Sequence, residues 1–173
     1  MFSIRFTAVS AALSVLLVAS VAQAAPKPKT DDATARLAAA ASPTSAQTLE
    51  AIYAGRTWKW KDGGGFFSAD GHKFSAWSRK GKAWSYAEGL WYATDAGKLC
   101  MQARWRDVSG AVPNTTCFLH RENAGVIYQK RSIGGEWYVF QSHPSQSTDE
   151  ARKLVRGDLV SKGLARMKAM AKK

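Results

Sequence analysis

Three histidines, two cysteines and one carboxylate set among aromatic residues are the groups in this 173-residue chain with chemistry to offer. His72, His120 and His143 lie far apart in sequence. They form no H-E-x-x-H pair, no metal-spaced set and no partner to a G-x-S-x-G elbow. They read as strand or loop residues unless the fold brings one beside Glu88 or Asp62 as a general base. Glu88 is the more informative group. Alternation places it on one face with Trp84, Tyr86, Leu90 and Tyr92. A carboxylate on such a face is costly to bury alone, so it either pairs with Arg104 or Arg56 or lines a ligand cavity. No second carboxylate has the placement that acid–base hydrolysis needs. Asp62-Gly63-Gly64-Gly65 lacks the pattern of a phosphate loop and reads as a turn or bulge. Two cysteines are too few for a four-cysteine zinc site. No metal, cofactor or catalytic residue is expected.

The aromatic residues carry the binding argument. Trp58 and Trp60 share one strand face, as do Trp84 and Tyr86. Seven tryptophans in one small sheet exceed the ordinary needs of a core. Aromatic rings beside basic side chains suit stacking on sugar rings. The candidate ligand-binding set is therefore Trp58, Trp60, Trp84, Tyr86, Glu88, Trp91 and Arg104.

The elements that must position these residues are strands. All seven tryptophans, all five tyrosines and thirteen of fourteen glycines lie between Leu49 and Asp158. Aromatic runs punctuated by glycine predict strands and tight turns. The expected strands are Thr57–Lys61, Phe66–Phe67, His72–Ser78, Ala83–Tyr92, Lys98–Trp105, Asn114–Arg121, Val126–Arg131 and Glu136–Gln141, with Asp70-Gly71 as a hairpin dipeptide. The fold class is mainly β: an antiparallel meander of seven or eight strands closing into a curved sheet or small barrel. A short helix over Leu49–Tyr53 leads in, and Ser147–Val155 supplies a C-terminal helix. The 46% hydrophobic content suffices for one packed domain over 49–160.

The flanks differ in kind. Arg5 is followed by sixteen apolar or small residues and then Ala22-Gln23-Ala24. That is the form of a secretory signal peptide over 1–24, and the run is shorter than the ~20 residues of a membrane span. The expected product is periplasmic, with no transmembrane segment after processing. Residues 25–48 hold eight alanines and no aromatic, and read as a flexible Ala/Pro-rich linker with room for a short helix over Thr30–Ala41. Ser161–Lys173 carries five cations and no acid, and reads as a basic tail that becomes helical only against a partner. The formal charge is +12; residues 142–173 alone contribute +5, from eight basic and three acidic residues. Nucleic acid is a poor partner for an exported chain. An acidic envelope polymer or an anionic membrane surface, reached through the tail, fits better.

Cys100 and Cys117 fall in consecutive expected strands. A hairpin turning around Asp107–Ala111 makes opposed residue numbers sum to 217. That register sets Cys100 against Cys117, Leu99 against Phe118 and Met101 against Thr116. An oxidising compartment would close the bond, worth about 3 kcal/mol for a loop of this length.

Several strings also carry a family likeness. They are Gly55-Arg56-Thr57-Trp58-Lys59-Trp60 with Asp62–Phe67, Ser85–Trp91, Leu99-Cys100 with Cys117-Phe118, Ile127–Gln129, Trp137–Phe140 and Gly157-Asp158. In this order they resemble the domain of unknown function 995 family of exported proteobacterial proteins, over roughly Leu49–Val160. The resemblance implies a bacterial periplasmic protein and carries over no catalytic residues. Three functions then compete. The first is a non-catalytic module binding a ligand or envelope polymer. The second is an interaction protein, such as an inhibitor of a cell-wall-degrading enzyme. The third is a hydrolase with a site around Glu88.

Overall fold

A computed structural model describes residues 30–172, so the expected signal peptide lies outside the described residues. The chain runs α1 (Thr30–Ala40), β1 (Ser42–Pro43), α2 (Ala46–Tyr53), β2 (Arg56–Trp60), β3 (Gly63–Phe67), β4 (Lys73–Lys80), β5 (Ala83–Thr94), β6 (Lys98–Asp107), β7 (Gly110–Asn123), β8 (Val126–Arg131), β9 (Tyr138–Gln141), β10 (Leu154–Arg156) and α3 (Ser161–Met170). The strands form one antiparallel sheet, ordered β10-β2-β3-β4-β5-β6-β7-β8-β9, with β1 beside β7. It curls into a half-barrel. The meander is the expected one, extended by two short strands: β1 and β10.

The β6–β7 register is the expected one. Leu99 opposes Phe118, Met101 opposes Thr116, and Cys100 and Cys117 are opposed and bonded.

Three local expectations are corrected. Gly63, Gly64 and Gly65 are strand residues of β3 rather than a turn. They are glycine because neighbours occupy the space of a side chain. A Cβ at Gly65 would lie 2.9 Å from the Phe74 ring, and one at Gly63 would lie 2.0 Å from the Trp77 carbonyl oxygen. Asp70-Gly71 makes a 3-10 turn over Asp70–His72 with Gly71 at φ 62°, not a two-residue hairpin. Ser147–Val155 is not a helix. A 3-10 turn at Glu150–Lys153 passes into β10, which pairs with β2. The C-terminal helix is α3.

The curl has an inside and an outside. Inside lie Trp58, Phe67, Phe74, Ala87, Trp91, Leu99, Ala103, Ile127 and Phe140, all buried. α2 fills this space. Ser45 caps it, its hydroxyl accepting from the Thr48 N–H at 3.1 Å, and Leu49 and Tyr53 are fully buried. The Glu150–Lys153 turn packs on both β2 and β9, bridging the open side of the half-barrel. The preceding loop is held by Asp149. Its carboxylate accepts from the Ser142 N–H (3.0 Å), the Ser142 hydroxyl (2.7 Å) and the Gln146 N–H (2.9 Å). Burial works to raise its pKa, but the bonds from Gln146, Ser142 and Ser145 outweigh it and lower it. Asp149→Ala should lower the thermal midpoint and speed proteolytic cutting within 142–149, with Asp149→Asn recovering part of the loss. Equal midpoints for all three forms would show that the clamp contributes nothing.

The two flanks, read from the sequence as a linker with room for a short helix and a tail that becomes helical only against a partner, both pack on the outside. α1 lies on the outer side of β7–β9, where Ala38 and Ala41 are buried with Tyr128. Alanine supplies little apolar area, but its small size lets the helix approach closely. Arg121 closes its C-terminal end, donating to the carbonyls of Ala38, Ala39 and Ala41. α3 crosses β4 and β5, burying Leu164 and Met167. The basic tail is thus a docked helix: the apolar residues spaced three apart face the sheet. Thr57 fixes its approach, its hydroxyl donating to the Gly157 carbonyl (2.7 Å) and accepting from the Leu159 N–H (3.0 Å).

Candidate functional site

The sheet divides the sequence-derived set between its two faces. Trp58 and Trp60 point into the curl. Trp91 does too, but it is core, 1% exposed, with its Nε1–H donating to the Ser68 carbonyl at 2.9 Å. Trp84, Tyr86, Glu88 and Arg104 lie on the outer face. Trp84 and Tyr86 stack with ring centroids 6.2 Å apart. Glu88 opposes Arg104 in the β5–β6 register, yet its carboxylate takes Lys168 of α3 at 2.7 Å and stays half-exposed. Among the described residues the Arg104 guanidinium reaches only the Ala111 carbonyl, at 3.5 Å. His120 faces inward from β7, so Glu88 and His120 lie on opposite sides of the sheet. His72 pairs with Glu50 at 3.1 Å.

The inner face carries an open groove of about 310 Å³. Trp58, Trp60, Phe67, Phe74, Met101, Trp105 and Phe118 form its apolar lining, and Thr116, Arg131 and Glu150 complete it. β2 supplies Trp58 and Trp60, β6 supplies Met101 and Trp105, and β7 supplies Phe118. Strand alternation sends all five to the same side. The Trp58 ring meets Phe118 edge-on at 5.2 Å and donates its Nε1–H to Glu150 Oε1 at 3.0 Å. Glu150 is further engaged by Lys153 at 2.6 Å. Arg131, opposite Phe118 in the β7–β8 register, is exposed and makes no ion pair among the described residues. Trp60, Met101, Trp105 and Phe118 remain partly exposed. The groove therefore offers flat apolar walls and one unpaired cation at its edge, the makeup of a small-molecule site.

Beyond the groove the interior holds a chain of polar groups that sequence reasoning missed. The Tyr138 hydroxyl donates to Gln129 Oε1. Gln129 Nε2–H donates to the Tyr53 oxygen at 2.7 Å, and the Tyr53 hydroxyl meets His120 Nε2 at 2.9 Å. His120, Gln129 and Tyr53 are each no more than 1% exposed. Burial lowers the His120 pKa to about 4. Burial also raises Tyr53 and Tyr138 well above the usual phenol range, and the nearby Glu150 carboxylate adds to both. The only sequence signal was inward alternation of His120 with Phe118. Tyr53 and Tyr138 come from opposite ends of the domain.

Together these features define a disulfide-linked, half-barrel β-domain with an aromatic groove on its concave face. The chain belongs to the family described as protein of unknown function (DUF995), which matches residues 14–160. The match starts well before Leu49, so it takes in the Ala/Pro-rich segment that carries α1, and it stops short of α3. Comparison with curated proteins and with solved structures gives no match. Among the described residues, no helix is long and apolar enough to cross a membrane.

Proposed function

We propose that this chain is a non-catalytic binding module, exported to the periplasm, that holds a ring-bearing ligand with an acidic group in the groove inside the curl. One observation carries the reading. Trp60, Trp105 and Phe118 line an open groove while staying partly exposed, and an unpaired Arg131 stands at its edge. Rings serving only the core would be sealed, as Trp91 is. The disulfide is compatible with an oxidising compartment. An acidic envelope polymer is a second partner in the same reading, reached from the outer face.

The test uses anilinonaphthalene sulfonate, a planar aromatic anion, as the probe. It should bind saturably and quench tryptophan emission. Trp105→Ala and Arg131→Gln should each weaken binding about tenfold, the scale of one buried aromatic or one charge-assisted contact. Glu88→Gln, on the other face, should leave the affinity alone. Non-saturable binding, or equal affinity in all four proteins, would remove the groove from the account.

A further inference from the structure

A second concavity lies on the other side of the molecule, between α3 and the β2–β3 turn. It measures about 630 Å³. Lys61, Arg79, Lys162 and Arg166 line it, against one carboxylate, Asp62. Among the described residues none of the four cations makes an ion pair. Lys61 follows β2, Arg79 lies one residue before the end of β4, and Lys162 and Arg166 come from the first two turns of α3. Residues remote in sequence thus converge, and like charges gathered in one cleft repel until an anion enters. The wall beneath them is apolar, made of the Trp77 indole and the exposed Leu159. The Trp77 Nε1–H is buried with no acceptor among the described residues.

This placement follows from the sequence of α3. Gly163 sits against the Trp77 indole so closely that a Cβ would lie 2.1 Å from the ring. The glycine lets the helix seat on the sheet, with Leu164 and Met167 buried beneath it. Lys162 and Arg166 then flank the contact, over the cleft. Asp158 fixes the first turn: it accepts from the N–H groups of Val160 (2.8 Å) and Ser161 (3.0 Å) and from the Ser161 hydroxyl.

We infer that this cleft is a binding site for a segment of an acidic glycan, its carboxylate or phosphate groups held by Arg79, Arg166, Lys61 and Lys162 and its sugar rings set against the indole wall. The inference deepens the binding-module reading by giving its polymer partner a site separate from the groove. A sugar chain fits better than a bilayer because the cations line a concavity, which a planar surface cannot enter. Arginine pairs and aromatic walls also match the planar acid groups and apolar ring faces of such a chain.

The experiment measures binding of fluorescein-labelled oligogalacturonate to the purified protein by anisotropy. Inorganic phosphate, neutral dextran oligomers and phosphatidylglycerol vesicles serve as competitors. Arg79→Gln with Arg166→Gln should weaken binding at least about tenfold, as expected for two lost charge-assisted contacts. Lys61→Gln with Lys162→Gln should do the same. Lys82→Gln with Arg152→Gln removes the same charge at exposed sites outside the cleft and should cost less than about twofold. Phosphate should compete weakly and dextran not at all. The proposal is overturned if the control pair loses as much as the cleft pairs, if neither cleft pair loses affinity, or if no saturable binding occurs. It is equally overturned if vesicles bind tightly and the glycan does not displace them, which would make the surface a membrane contact. Loss of this site with sulfonate binding intact would leave the groove reading standing.

Discussion

Acidification from pH 7 to pH 4 should remove roughly 3 kcal/mol of folding stability through His120 alone. The polar chain in the interior requires that ring to be neutral. Tyr138 donates to Gln129, Gln129 donates to Tyr53, and the Tyr53 proton is left for His120 Nε2, which must accept it. A proton on Nε2 would set donor against donor, and the buried Nδ1 has no partner among the described residues. Burial therefore lowers the ring from its ordinary 6.5 to about 4 in the folded chain. The sign follows. Between these values the unfolded chain binds a proton that the folded chain refuses, so stability rises with pH. The contribution is full above pH 6.5 and is lost as pH falls through about 4. The groups facing the ring from the packed elements are Tyr53 from α2, Gln129 from β8 and Phe140 from β9, and none adds a competing titration in this window. Hydrogen bonds hold Asp107, Asp149 and Asp158 below the ordinary carboxylate value of 3.8, so their losses come at lower pH. Urea unfolding at several pH values between 7 and 4 reads the slope. His120→Gln should be less stable at pH 7 and nearly flat across the window. An unchanged slope in that variant would place the acid sensitivity elsewhere.

The sequence revealed pairings better than it revealed faces. Alternation and turn residues located the strands, and the two cysteines fixed the β6–β7 register because only one offset brought them together with the apolar residues aligned. The inward face of β5 was not legible. Trp84, Tyr86, Leu90 and Tyr92 are the larger apolar set, yet Ala87, Gly89, Trp91 and Ala93 face inward. The reason is α2, which packs on β5 from inside the curl and leaves room for small residues. Nothing in β5 itself reports a helix encoded thirty residues earlier. Glu88 therefore moved from an expected interior partner of arginine to an exposed partner of Lys168.

The candidate sites follow the same division. Trp58 and Trp60 were legible as a pair on one face. Their companions Trp105, Phe118 and Arg131 come from strands four to six positions away in the sheet order, and only the curl brings them near. The cationic cleft was legible only as charge. The excess at the C-terminus was plain, but its concentration against Lys61 and Arg79 depends on α3 docking. Docking in turn depends on contacts that composition does not weigh: a glycine on an indole, and a threonine hydroxyl holding the preceding loop.

Gly163→Ala tests that docking with an effect of opposite sign to the one helix propensity gives. In an exposed helix the change should stabilise by about 1 kcal/mol. Here the added Cβ would lie 2.1 Å from both Cε2 and Nε1 of Trp77, far inside contact distance. The indole belongs to β4 and lies between the outer face of the sheet and α3, so it is not the free end of a flexible chain. The helix must lift, and Leu164 and Met167 lose part of the burial that seats them. Overpacking of this kind costs about 1–3 kcal/mol, so the variant should unfold at lower temperature than the parent. Ala165→Gly, on the exposed side of the same helix, isolates the propensity term and should cost about 1 kcal/mol without shifting Trp77 emission. Truncation after Val160 removes the helix outright. It should cost a few kcal/mol, because burying a leucine or methionine side chain contributes about 1.5–3 kcal/mol each. A tail that merely carried charge would show none of this: truncation would leave the midpoint unchanged, and Gly163→Ala would be neutral or stabilising. Calorimetry of the four proteins separates the two cases. The docked helix also makes a further demand, since Gly163→Ala must weaken glycan binding at the cleft while Ala165→Gly does not.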